Sequence, residues 1–284
     1  MGFSSFLKKL FENRKNTSGN TKAPEPSCPA ETPCVESFPD KETITFKSAV
    51  WSCQGPRPNN EDALLTGKLN DGQAFAIVSD GIGGAPHGEV YSKLACHYAA
   101  SALEKGCSCA DAIDEAQEKC LELMDIIERG NGCGATLLVT VFELDGSVHC
   151  AYVGDSRLLV VSPDGIQKWS VPDRKYGNAL ASAIGKKDSE VHTTDTLQME
   201  PGSVAFLMTD GAWELLEKDE YAQQLQTRIC EKNSEFDLAF WLSDTAGHEG
   251  SDNATVVVVS ADIAETTDES NSLDNVIGGL LQNG

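Results

Sequence analysis

The sequence predicts an α+β fold, and three observations carry that expectation. Short runs rich in β-branched residues recur from about residue 45 to 262, turn tripeptides join neighbouring runs, and two long helical segments stand together as a block. The strand runs include residues 74–79, 135–142, 148–153, 157–162, 204–209 and 254–260. Leu144-Asp145-Gly146 and Pro163-Asp164-Gly165 supply hairpin turns between adjacent runs. The helical segments cover residues 87–104 and 110–129. In the second, Ala112, Ala116, Cys120, Leu123 and Ile127 fall on one stripe at helical spacing.

The two ends differ from this central block. Residues 1–44 read as a leader and a linker. Phe3, Phe6, Leu7, Leu10 and Phe11 recur at helical spacing, with Lys8, Lys9, Arg14, Lys15 and Lys22 against the single Glu12. A short basic amphipathic helix of this kind suits an anionic membrane surface or a partner protein, so residues 3–11 are a candidate docking face; the alternative is a frayed leader with no role. Met1-Gly2 lacks the Ser or Thr that myristoylation wants at position 6, where Phe stands. Residues 16–42 are rich in Pro, Ser, Thr, Asn and Glu, which favours a flexible linker. Residues 263–284 form a polar, acidic, Gly/Asn-rich tail.

Charge and cysteine usage narrow the function classes. The 22 Lys+Arg face 44 Asp+Glu, a formal net charge of -22 across 284 residues. Nucleic acid, a polyanion, is a poor partner for such a chain; divalent cations and basic peptides fit better. The ten cysteines do not read as a disulfide framework. Lys8 and Lys9 interrupt the first apolar stretch, so no secretory signal is expected. Cys96, Cys133 and Cys150 sit inside apolar runs as small core residues, consistent with a reducing cytoplasm. Cys107/Cys109 and Cys28/Cys34 are close pairs, but no second pair has zinc-ligand spacing. No stretch approaches the roughly 18 apolar residues that span a bilayer.

The chemistry is expected at strand ends, where carboxylates stand beside Gly or Asn. Asn60-Glu61-Asp62 precedes Ala63-Leu64-Leu65, and Asp80-Gly81 follows the run ending at Ser79. Gly154-Asp155-Ser156-Arg157 separates two strands, Asp210-Gly211 follows Thr209, and Asp252-Asn253 precedes residues 254–260. One Asp-Gly is usually a turn. Five acidic corners in one chain point elsewhere, because clustered carboxylates repel one another unless a cation neutralises them. Hard oxygen ligands suit Mg²⁺ or Mn²⁺.

The ordered set Arg57-Pro58-Asn59-Asn60-Glu61-Asp62, Asp80-Gly81-Ile82-Gly83-Gly84, Gly134-Ala135-Thr136, Gly154-Asp155-Ser156-Arg157, Thr209-Asp210-Gly211 and Asp252-Asn253-Ala254-Thr255 resembles the metal-dependent serine/threonine protein phosphatases, the protein phosphatase type 2C family. Gly83-Gly84 followed by Gly88-Glu89 is similar to its compact bacterial branch. The resemblance runs over roughly residues 48 to 260. It implies a four-layer sandwich, two packed antiparallel β-sheets flanked by helix pairs, with a phosphatase domain at residues 45–262. It also implies two divalent cations, Mn²⁺ or Mg²⁺, and a weaker third.

By the same resemblance Asp80 matches the carboxylate that bridges both metals. Asp210 and Asp252 match further ligands of the first, and Gly81 offers a carbonyl to the second. Glu61 and Asp62 match the remaining second-metal contacts, with Asp62 preferred as the direct one. Asp155 and Asp210 match the ligands of the third site. Arg57 matches the arginine that holds phosphate oxygens, and it is read as the only basic residue close to this acidic cluster in sequence, as a phosphate site needs. The implied reaction is attack on phosphoserine or phosphothreonine by a hydroxide shared between two metals, without a phosphoenzyme. Implied partners are phosphorylated proteins and a cognate Ser/Thr kinase system, in the cytoplasm or peripherally at the membrane.

Two departures stand out. Ile82 occupies a position where some relatives carry His, so it cannot protonate the leaving group. Only residues 158–178 separate Arg157 from Ala179, which leaves the flap beside the active site short. The competing class is a catalytically weak or dead module on the same fold that binds a phosphoprotein or ligand; lost carboxylates would mark it, and every expected one is present.

Overall fold

The computed structural model describes residues 43–83, 87–127, 133–163, 165–170, 174–176 and 179–264. The leader helix, the linker, the acidic tail and the Cys28/Cys34 pair lie outside those residues. Thirteen strands are described: β1 (Ile44–Cys53), β2 (Asp62–Lys68), β3 (Ala74–Asp80), β4 (Leu137–Phe142), β5 (Ser147–Val153), β6 (Arg157–Ser162), β7 (Gly165–Trp169), β8 (Arg174–Tyr176), β9 (Ala179–Leu180), β10 (His192–Thr193), β11 (Leu197–Gln198), β12 (Val204–Met208) and β13 (Ala254–Ile263). Helices α1 (Gly88–Glu104) and α2 (Cys109–Ile127) follow β3. The short α3 (Asp210–Trp213) follows β12, and α4 (Asp219–Cys230) and α5 (Glu235–Glu249) precede β13.

The strands form two antiparallel sheets. One has the order β1-β13-β12-β6-β7; the other runs β10-β5-β4-β3-β2, with β11 also on β5. The β8–β9 pair stands apart. β1 pairs with β13 along its whole length, from Ile44 opposite Ile263 to Cys53 opposite Ala254.

Unbroken apolar strands explain the layers. Side chains alternate between the two faces of a strand, so a strand buried on both faces cannot alternate apolar with polar. Val257 and Val259 of β13 join Ala205 and Leu207 of β12 and Leu158 and Val160 of β6 in the core between the sheets, opposite Ala76, Val78, Leu138 and Phe142. Val256 and Val258 face the other way, packing with Phe206, Met208, Leu159 and Val161 against Leu225, Leu238, Leu242 and Ala246 of α4 and α5. On the second sheet, Phe75, Ile77, Leu137 and Val139 pack against Ala95, Ala99, Leu103, Ile113 and Ala116 of α1 and α2. Three cores between four layers make the sandwich, and each fully buried valine or leucine in them is worth about 1.5–3 kcal/mol. Cys96, Cys133 and Cys150 are buried core residues, as expected.

Helix termini follow local chemistry. Ser234 caps α5: its hydroxyl accepts from the Asp237 amide at 3.2 Å and donates to Asp237 Oδ2 at 2.7 Å. α1 starts differently, after His87 in a left-handed conformation at φ 62° with no side-chain cap. That start lies against Gly81, where a Cβ would come within 2.5 Å of the Gly88 main chain.

Candidate active site

The acidic corners meet where the two sheets open at one end. Asp62 begins β2 and Asp80 ends β3, and the two are direct partners in the ladder, so their side chains share a face. Asp155 lies in the turn from β5 to β6, Asp210 opens α3 directly after β12, and Asp252 precedes β13. Charge on Asp62, Asp210, Asp252 and Asp155 bears on Asp80, in that order of strength. The fold thus brings four carboxylates from both sheets around Asp80.

Uncharged side chains hold these corners in place. Thr209 donates its hydroxyl to Asp62 Oδ2 at 2.8 Å and accepts the Thr255 amide at 3.0 Å, joining the two sheets. The Asp80 amide donates to Thr136 Oγ1 at 2.9 Å, and Thr136 Oγ1 lies 2.7 Å from Ser156 Oγ, beside Asp155. Buried Asn253 gathers the 54–61 loop: its Nδ2 donates to the carbonyls of Gln54 and Asn59, and its Oδ1 accepts the Glu61 amide at 2.9 Å. Trp213 donates its indole N–H to the Asp155 carbonyl at 2.9 Å and lies under the Arg157 guanidinium, 3.5 Å from the ring centroid.

Burial makes this cluster costly when charged. Asp62 is only 6% exposed. Its carboxyl is pushed up to about 6, because desolvation outweighs the hydrogen bonds from Thr255, Thr209 and Asp80 that favour the ionised form. Oδ1 of Asp62 is buried without a hydrogen-bond partner. Burial and the four neighbouring carboxylates push Asp80 well above the ordinary range, although part of its surface reaches solvent. Two such groups side by side titrate as a pair.

Glu61 and Arg57 stand at the rim. Burial, then Glu89, raises the Glu61 carboxyl, and Arg57 opposes the shift. The Glu61 main-chain carbonyl accepts from the Gly81 amide at 3.1 Å and from Ser92 Oγ at 2.6 Å, tying the β2 entry to α1. Arg57 is already engaged: Nη2 contacts Asp252 Oδ2 at 2.6 Å and Nε donates to the Ser251 carbonyl at 3.0 Å. Its Nη1 lies against Gly83, where a Cβ would approach within 3.1 Å. Arg57 is also not the one basic residue at the acidic corners, since Arg157 is held on Trp213 two positions after Asp155.

The family model for protein phosphatase 2C matches residues 54–246, well over half of the chain. The chain belongs to the protein phosphatase 2C family. As a member it is a metal-dependent phosphoprotein phosphatase. The serine/threonine phosphatase Stp of Listeria monocytogenes is 23% identical over 240 residues, covering 74% of this chain and 93% of that protein. Stp1 of Staphylococcus aureus shares the fold with a TM-score of 0.67 at 18% identity, covering 80% of this chain and 99% of the other. The catalytic domain of PstP, in complex with two manganese ions, superposes with a TM-score of 0.64 at 22% identity, covering 78% and 100%. The four-layer sandwich expected from the motifs is the observed architecture.

The sequence did not assign work to Thr136, Thr209, Asn253 or Thr255, although each sits inside a quoted motif. A hydroxyl or amide stands within one to three positions of most of the acidic corners, and that adjacency is the signal that identifies their holders. Ser156, next to Asp155, carries the same sign, whereas Trp213 and Thr136 gave none.

Proposed function

We propose that this phosphatase hydrolyses phosphoserine and phosphothreonine in proteins at the Asp80 cluster, using divalent cations held by its carboxylates. The observation that carries this reading is the cluster itself. Burial holds Asp80 and Asp62 above their ordinary range, the charges of the neighbouring carboxylates push Asp80 further, and Asp62 Oδ1 is buried without a partner. Such a site gains by exchanging protons for cations, and its all-oxygen donors suit Mg²⁺ or Mn²⁺.

Asp80 would bridge two ions. Asp210 and Asp252 would complete one position, while Asp62, the Gly81 carbonyl and Glu61 at the rim would serve the other. Asp155 with Asp210 would form a weaker third. The cations would supply an activated water near neutral pH and positive charge opposite the phosphate oxygens. No side-chain nucleophile is then required, and no phosphoenzyme forms.

The remaining work belongs to the chain. Thr209 and Thr136 fix the Asp62 and Asp80 corners so that little reorganisation is needed on binding. Arg57 presents a planar set of donors to phosphate oxygens, and Asp252 and Ser251 orient it in advance. Ile82 offers no proton, so the leaving alkoxide takes its proton from water at the site. The substrates are phosphorylated proteins set against a cognate Ser/Thr kinase system. The phosphatase domain is assigned to residues 45–262.

Phosphate release from a phosphothreonine peptide tests this directly. Turnover should appear with Mn²⁺ and vanish with excess chelator, and full turnover in chelator would sink the assignment.

A further inference from the structure

We propose that Cys53, Asp244 and His248 form a second metal site, separate from the acidic cluster, that takes a cation of the zinc class. A thiol sulfur, a carboxylate oxygen and an imidazole nitrogen from these residues all lie within 4.8 Å of one another. Nothing in the phosphatase reaction uses any of the three.

The placement follows from two elements. Cys53 is the last residue of β1, and Asp244 and His248 lie four positions apart near the end of α5. Residues at i and i+4 share one face of a helix, the spacing by which helical ligand pairs grip zinc. His248 Nδ1 is 2.8 Å from the Asp244 carbonyl and 3.7 Å from its Oδ2, so the ring already leans toward the carboxylate. Gly247 lets the strand reach them, because a Cβ there would collide with Cys53 Sγ.

The donor set decides the metal. Sulfur, nitrogen and oxygen together suit Zn²⁺ or Co²⁺, whereas Mg²⁺ and Mn²⁺ prefer oxygen alone. Cys53 binds as the thiolate and gives up its proton. His248 and Asp244 are 71% and 40% exposed in their side chains, which leaves a fourth position to water. The site stands at the root of the loop that bears Arg57, close to the Ser251–Asp252 segment.

Cobalt titration of the full chain in excess Mg²⁺ tests this. Mg²⁺ occupies the carboxylates, and only a thiolate ligand gives a near-ultraviolet sulfur-to-cobalt charge-transfer band. The wild-type chain should show a band that the Cys53→Ser variant lacks and that Zn²⁺ bleaches. His248→Ala should weaken cobalt binding by at least about tenfold. Both variants should keep their Mg²⁺-dependent phosphatase turnover, which reports that they are folded. A band equal in wild type and Cys53→Ser, as other cysteines alone would give, overturns the proposal. So does the absence of a band in the wild type, or a band that Zn²⁺ leaves intact.

Discussion

At the scale of single residues, the acidic cluster is a set of charges that the fold keeps close against their mutual repulsion. Thr209 ties Asp62 of one sheet to Thr255 of the other. Replacing it with Val removes the hydroxyl given to Asp62 and the acceptor offered to the Thr255 amide, both buried. Thr209→Val should cost about 1–3 kcal/mol in denaturant unfolding and weaken Mn²⁺ binding. If Arg57 holds the phosphate as proposed, Arg57→Ala should raise KM for a phosphopeptide and also slow turnover, since the guanidinium would face oxygens that gain charge in the transition state. Asp155→Asn, at a site expected to bind weakly, should cost less, chiefly at low metal.

The same residues set a pH dependence. Asp62 has a folded value of about 6 against 3.8 for an ordinary aspartate, and Asp80 is shifted in the same direction. Below about pH 4 both states are protonated and the shift costs nothing. Between roughly 4 and 6 the unfolded chain ionises while the folded one resists, so stability falls as pH rises. Cations held there as proposed would reverse that loss. The rise in melting temperature produced by Mn²⁺ over chelator should therefore be larger at pH 7 than at pH 5. An equal rise at both would contradict the assignment of these carboxylates to the metal site.

At the scale of elements, legibility tracked burial. β4, β6, β12 and β13 are buried on both faces and announced themselves as β-branched runs. β1 did not, because it is an edge strand whose polar and apolar residues follow its half-exposed position. α5 carries Phe236 and Phe240 outward beside its buried Leu238 and Leu242, which blurs the helical stripe. The four-residue α3 was too short to leave a period, yet it sets Asp210 in place. The carboxylates themselves were readable as strand-end acids, but their convergence was not; it depends on which strands neighbour one another across two sheets. The contact between Gly81 and the start of α1 offers an element-scale test. Gly81→Ala would drive a Cβ to 2.5 Å from the Gly88 main chain, so helix and strand end must separate. A destabilisation of about 1–3 kcal/mol is expected, together with weaker metal binding.

At the scale of the whole molecule, two sheets and two helix pairs leave one end of the sandwich open, and the carboxylates line it. Catalysis should then reside in the sandwich alone. Deleting residues 1–40 should leave peptide hydrolysis intact while abolishing membrane or partner association, if residues 3–11 are a docking face. Unchanged localisation and partner recovery would mark the leader as inert. Among the described residues no helix is long and apolar enough to cross a membrane. The central claim is that Asp80 organises the cations that do the chemistry, and the turnover number of folded Asp80→Asn protein at saturating Mn²⁺ tests it most directly. Loss of the shared ligand should lower kcat on a phosphothreonine peptide by several orders of magnitude. Near-normal turnover per folded molecule would contradict it.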